Sequence, residues 1–170
     1  WYTRDIQQDR YVCRGGGEWF EPKFSYKGFR YIQIDGYPGE LTAADAKLYR
    51  IHNDVEQRGW FVSSQDRFCR LHDIMVRTIV NNLQGKPTDT PVWEKNGWTG
   101  DANVACESMC CNFDLSLFLP KFLHDLGDAQ DETGSVPQIA PTANWAMENT
   151  PVWNSIFILA TKKLRDQFGL

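Results

Sequence analysis

The sequence predicts an α+β chain, strands first and helices after, and three observations carry that prediction. The first forty residues, with a further run from Ala46 to Arg50, set Tyr, Phe, Ile and Val in alternation between glycine turns. Beyond residue 60 the apolar spacing changes to three and four. Long loops bearing Pro, Gly and Trp then separate the helical stretches. Such segregation suits two domains better than repeated βαβ units. The boundary falls between Tyr49 and Ser63 and divides the chain into residues 1–55 and 56–170. Helices strung on long loops also suit a toroid of helical hairpins whose loops line a central pocket, an inference by analogy of fold.

Taken in order, "YVCRGG", "KFSYKGFRYIQIDGYP" and the run from Ala46 to Arg50 read as strands. In "FRYIQID", Phe29, Tyr31 and Gln33 face one way and Arg30, Ile32 and Ile34 the other, a mixture that suits a sheet packed on both sides. Gly15, Gly16 and Gly17 read as a turn, because no strand-to-helix context surrounds them and Glu18 repels phosphate. After "GWFVSS", Ser64 caps a helix whose apolar stripe is Phe68, Leu71, Met75, Ile79 and Leu83. It ends near Asn82, ahead of the stop signals Gly85 and Pro87. A second helix is expected from about Asp101 through "ANVACESMCC". A third covers "LSLFLPKFLHDLGDAQ", where Pro120 marks a break or a first turn. "DETGSVPQIAPTANWAMEN" reads as a long loop. Thr150 then caps a last helix with Pro151 at its first position and Val152, Ile156, Leu159, Ala160 and Leu164 as its stripe.

With 170 residues, 42% of them hydrophobic, the chain can bury the core of one domain or parts of two. Its net charge is -4 and no basic run exceeds Lys162-Lys163, which excludes nucleic acid as a main partner. No apolar run is long enough to span a bilayer, so no membrane partner is expected. No signal peptide is read, and localisation stays open between cytoplasm and exterior. The chain opens on Trp1 and closes on a helical pattern at Leu170. It is expected to be an excerpt whose first partner is the remainder of the same polypeptide. Cys13, Cys69, Cys106, Cys110 and Cys111 include no CxxC pair, and His52, His72 and His124 are scattered. No metal is expected, and Cys106 and Cys110 read as reduced thiols on one helix face. Seven Trp are either bulky core residues or flat faces for the C–H side of a pyranose.

The stretch "PTDTPVWEKNGWTGDAN", residues 87–103, gathers Asp89, Glu94 and Asp101 beside Trp93 and Trp98. Pro87, Pro91, Gly97 and Gly100 forbid one regular helix through it, and acids clustered in a loop invite a functional reading. A glycosidic bond breaks with a carboxylic acid that protonates the leaving oxygen and a carboxylate that works on the opposite face. Glu94 suits the acid, since an apolar Trp wall raises a carboxyl pKa, although Lys95 opposes this if its ammonium turns toward it. Asp89 and Asp101 suit hydroxyl binding, because an ionised carboxylate accepts two hydrogen bonds. Plainer readings stand beside these. Asp101 suits an N-cap, Asp89 an Asx turn, and Glu94-Lys95 a solvated charge pair.

"DTPVWEKNGWTGDAN" resembles the signature of the bacterial and fungal α-L-rhamnosidases, Asp-x-Pro-x-x-Glu-x-x-Gly-Trp-Thr-Gly-Asp. "FEPKFSYKGFRYIQIDGYP" looks like the segment that ends that family's β-sandwich, and "HNDVEQRGWFVSS" like the linker that follows. "FLHDLGDAQDETGSVPQIAP" and "TPVWNSIFILATKKL" resemble the stretches after the signature, so the likeness covers the chain in order. It implies the C-terminal part of a β-sandwich followed by the first helices of an (α/α)6 toroid. It also implies an inverting glycoside hydrolase that releases terminal α-linked L-rhamnose and needs no cofactor. Within that resemblance Glu94 falls on the general acid, Asp89 and Asp101 on binders of the rhamnose hydroxyls, and Trp98 and Trp153 on aromatic positions around the sugar.

The chain departs from the pattern at three places. Many members carry Cys and Arg where this chain has Thr90 and Trp93, and an acidic residue where it has Ser155. The loss of that Arg removes a bidentate donor. The family's general base is a later Glu with no counterpart before Leu170, so the 170 residues are expected to be inactive alone. Trp93 and Ser155 keep a toroid glycosidase for another terminal sugar as an alternative. A non-catalytic carbohydrate-binding module is the other.

Overall fold

The computed structural model describes residues 7–142, 145–146 and 148–170. The first six residues of the expected β region, and Ala143, Asn144 and Met147 of the expected long loop, lie outside the described residues. The regular elements are a 3-10 turn, Ala43–Asp45, and the helices α1 (Asp66–Asn81), α2 (Thr99–Asn112), α3 (Phe118–Asp128), α4 (Pro151–Asn154) and α5 (Ile156–Phe168).

Apolar residues spaced three and four apart explain how α2, α3 and α5 pack. Cys106, Met109 and Cys110 on α2, Phe118, Leu119, Phe122 and Leu126 on α3, and Ile156, Ala160 and Leu164 on α5 are buried in one cluster. Phe122 and Leu119 have no exposed surface at all. Burial on that scale contributes about 1.5–3 kcal/mol per side chain. Pro120 lies in the first turn of α3, where its missing N–H costs nothing. The caps are less regular than the sequence suggests. Gln65, not Ser64, sits at the N-cap of α1, and Ser63 Oγ accepts the Gln65 N–H at 3.1 Å. Thr150 is the residue before Pro151, as expected, but its hydroxyl accepts from Gln138 Nε2 at 2.6 Å instead of capping the helix. The last helical stretch is divided at Ser155, so α4 is a single turn leading into α5.

Helix α1 packs by its C-terminal end. Ile79, Val80 and Leu83 are buried, and the Asn53 N–H donates to the Leu83 carbonyl at 2.9 Å. The N-terminal part of its predicted stripe is open, with Phe68 and Leu71 exposed. A buried amide ties α1 to α2. Asn112 Nδ2 donates to the Ser108 carbonyl at 2.8 Å, and its Oδ1 accepts from His72 Nε2 at 2.7 Å. The Asn112 carbonyl takes the N–H groups of Arg58 and Gly59 at 2.7 and 3.1 Å.

The strands expected before residue 50 do not form among the described residues, where only isolated bridges occur: Gln57 with Phe113, Leu83 with Pro87, and Trp98 with Ile139. The alternation in "FRYIQID" does not sort into faces either, since Phe29 is 49%, Tyr31 86% and Ile32 53% exposed. The physical reason is pairing. A strand is stabilised by a ladder to a neighbour and by a covered face, and no other part of the described chain offers this stretch either one.

Candidate active site

The acid-bearing loop is closed on itself before it enters α2. The Asp89 N–H donates to the Asn96 carbonyl at 3.0 Å, and the Asn96 N–H returns to Asp89 Oδ1 at 2.8 Å. Thr90 Oγ accepts the Trp93 N–H at 3.0 Å inside that ring. Two prolines and a left-handed residue, Lys95 at φ 57, make such a closure possible where a helix is not. Gly97 and Thr99 then fix the loop to the segment that precedes α4. The Ala140 N–H donates to the Gly97 carbonyl at 3.0 Å, and the Thr99 N–H donates to the Gln138 carbonyl at 2.8 Å. The Ala140 carbonyl occupies the place where a Cβ on Gly97 would lie.

Inside the loop, Glu94 Oε2 accepts the indole N–H of Trp98 at 2.7 Å. Trp98 therefore meets the carboxylate with its polar edge. Its ring packs edge-on against Trp145, with centroids 5.7 Å apart. Lys95 turns to another partner: its Nζ donates to the Tyr26 carbonyl at 2.6 Å and lies 4.6 Å from the Tyr26 ring centroid.

Beside the loop runs a groove of about 540 Å³, with Asp89, Asp101, Gly100 and Ser108 along it and Val152 and Trp153 at the α4 side. Asn103 Nδ2 holds α4 in place by donating to the Val152 carbonyl at 2.9 Å and to Ser155 Oγ at 3.0 Å. The Trp153 ring lies over Gly100, so close that a Cβ there would sit 2.5–2.6 Å from the indole. The Trp153 indole N–H is shielded from solvent and has no hydrogen-bond partner among the described residues. Asp101 is exposed at the groove, yet its carboxyl pKa is raised above the ordinary value. Partial desolvation is the main cause, and the negative charges of Asp89 and Glu94 add to it. The three acids therefore share one electrostatic neighbourhood.

Three of the five residues singled out from sequence, Asp89, Asp101 and Trp153, line the groove, while Glu94 and Trp98 pair with each other in the loop. Asp101 lies in the first turn of α2, and the N-cap is Trp98. Asp89 accepts from a residue seven positions on, which is not an Asx turn. Two neighbours were not legible. Trp145 sits in a stretch that reads only as loop, and Tyr26 lies 69 positions from Lys95. Among the described residues no group of three or more His, Cys, Asp or Glu is placed to hold a metal. No helix among the described residues is long and apolar enough to cross a membrane.

The comparisons place this helical region and its groove in a known family. Residues 56–169 match the bacterial α-L-rhamnosidase six-hairpin glycosidase domain, and residues 2–52 match the bacterial α-L-rhamnosidase concanavalin-like domain. The chain belongs to the α-L-rhamnosidase family. An α-L-rhamnosidase of Formosa agariphila is 42% identical over 118 residues, 69% of this chain and 12% of the relative. One of Streptomyces avermitilis is 29% identical over 99% of this chain and 17% of its own length. The chain thus spans less than a fifth of these relatives. Among solved structures, the α-L-rhamnosidase of Dictyoglumus thermophilum superposes with a TM-score of 0.69 at 34% identity, covering 76% of this chain and 15% of that one. The Streptomyces avermitilis enzyme, solved in complex with L-rhamnose, gives 0.65 at 28% identity over 67% of this chain and 11% of that one.

Proposed function

We propose that the polypeptide carrying this chain is an inverting glycoside hydrolase that releases terminal α-linked L-rhamnose, with Glu94 as its general acid. The observation that supports this reading is the junction of loop and groove: Asp89, Asp101 and Trp153 line one cleft, and the Glu94 carboxyl, oriented by Trp98, is near enough to Asp101 to help raise its pKa. Ionised Asp89 and Asp101 accept hydroxyl hydrogen bonds, and an indole offers an apolar face to the C–H groups and methyl of a rhamnose ring. Glu94 Oε2 accepts the Trp98 N–H at 2.7 Å, which orients the carboxyl that is to carry the transferable proton. From there it passes to the glycosidic oxygen as the C–O bond breaks. The carboxylate that activates water on the opposite face is assigned to the remainder of the polypeptide.

The Streptomyces avermitilis relative bound to L-rhamnose supports this sugar as the ligand. Ser155, one of the two departures that raised another sugar, has its hydroxyl engaged by Asn103 and by the Val152 carbonyl. It is a structural residue at the α4–α5 junction. In the full polypeptide, Glu94→Gln is expected to lower turnover of phenyl α-L-rhamnoside by about 10²- to 10⁴-fold, the scale of a general-acid contribution. Steady-state kinetics check this, and an unchanged kcat refutes the assignment. A wild-type polypeptide that binds rhamnose but hydrolyses no rhamnoside would support the carbohydrate-binding module instead.

A further inference from the structure

We propose that Lys95 is a positioning residue for Glu94, held by Tyr26 and by the stretch around Gly28, so that the first segment of the chain shapes the acid of the second.

Lys95 follows Glu94 directly and adopts a left-handed backbone, which side-chain-bearing residues rarely take unless their surroundings hold them there. The hold is visible. Its ammonium donates to the Tyr26 carbonyl at 2.6 Å and sits over the Tyr26 ring at 4.6 Å. Two residues further on, Gly28 presses on the loop itself: a Cβ there would lie 2.7 Å from Val92 Cγ2 and 3.0 Å from the Pro91 carbonyl oxygen. The Gly28 backbone is fixed in turn by the Gln7 amide, which accepts from its N–H at 2.9 Å and donates to its carbonyl at 2.6 Å. Lys27 is anchored by Asp9 at 3.3 Å. One side of the loop is therefore tied to residues 7–28, and on the other Trp98 engages Glu94. With Lys95 drawn to Tyr26 and its φ fixed, the preceding peptide is oriented, and with it the Glu94 carboxyl that accepts the Trp98 N–H.

This role rests on the reading of Glu94 as general acid, and its signature is dependence on the leaving group. A displaced acid harms substrates whose leaving oxygen must be protonated and spares those whose leaving group departs as an anion. The test uses Lys95→Met, Lys95→Arg and Gly28→Val in the full polypeptide, assayed on phenyl and dinitrophenyl α-L-rhamnosides. With Lys95→Met, kcat on the phenyl substrate should fall by about tenfold or more and on the dinitrophenyl substrate by about twofold or less, with KM unchanged on both. Lys95→Arg, which keeps the charge and the donor, should recover most of the phenyl activity. Gly28→Val should repeat the pattern of Lys95→Met without touching Lys95. An equal fall on both substrates, or a rise in KM alone, overturns the role. If Glu94→Gln itself shows no leaving-group dependence, the assignment of the acid fails, and that result is distinct from a failure of Lys95.

Discussion

Replacing Gly100 with alanine puts a methyl carbon 2.5–2.6 Å from the Trp153 indole, where nonbonded carbons settle at about 3.5–4.0 Å. The helix backbone beneath that methyl is fixed, so the ring must slide into the groove beside Asp89 and Asp101. Gly100→Ala should weaken L-rhamnose binding by about tenfold, or about 1.4 kcal/mol, and raise KM more than it lowers kcat. Calorimetric titration of the full polypeptide measures this directly. Asp101 carries a second expectation. Its pKa is raised in the folded chain, chiefly by desolvation and then by Asp89 and Glu94. As pH rises past the ordinary carboxyl value, the unfolded chain ionises first and the folded state loses stability relative to it. Asp101→Asn should therefore match the wild type at pH values below that range and be more stable above it, as read from unfolding midpoints at the two pH values. At this scale the sequence was informative about chemistry and poor about contacts. The signature singled out Glu94, Asp89 and Asp101, but nothing local to "EKNGW" says that Lys95 reaches Tyr26, because that contact spans 69 positions.

The helices were legible because each carries its own evidence. Phe118, Leu119, Phe122 and Leu126 repeat at helical spacing, and that face is buried in the core cluster with α5 as its packing partner. Strands carry no such local sufficiency, and residues 7–50 form none among those described. Helix ends were less certain for a similar reason. Ser64 and Thr150 have good cap chemistry, but Thr150 spends its hydroxyl on Gln138. Asn112 is the clearest case of tertiary demand on one element. It is 5% exposed, and its side chain bridges Ser108 and His72. Asn112→Ala leaves the part-buried His72 N–H without its acceptor and should destabilise the chain by about 1–3 kcal/mol. Chemical denaturation of the full polypeptide checks the size, and a loss under about 0.5 kcal/mol would mean that water replaces the amide.

Across the whole molecule, the apolar surface is unevenly covered. The α2–α3–α5 cluster is buried, while Phe68, Leu71 and Ile74 on α1 and Trp19, Tyr31 and Trp60 ahead of it are exposed. The relatives are several times longer than this chain, which spans 12% and 17% of two of them. Two family models meet within these 170 residues, one ending at residue 52 and the other beginning at 56. Sequence order makes that short gap look like a joint at which modules could be exchanged. The packing of Gly28 against Val92 and the reach of Lys95 to Tyr26 cross it. Recombination at the gap would therefore pair a loop from one parent with a brace from another. A chimera made there keeps these contacts only when both parents agree at Tyr26, Gly28, Val92 and Lys95, so the unit of inheritance for this loop is larger than either module.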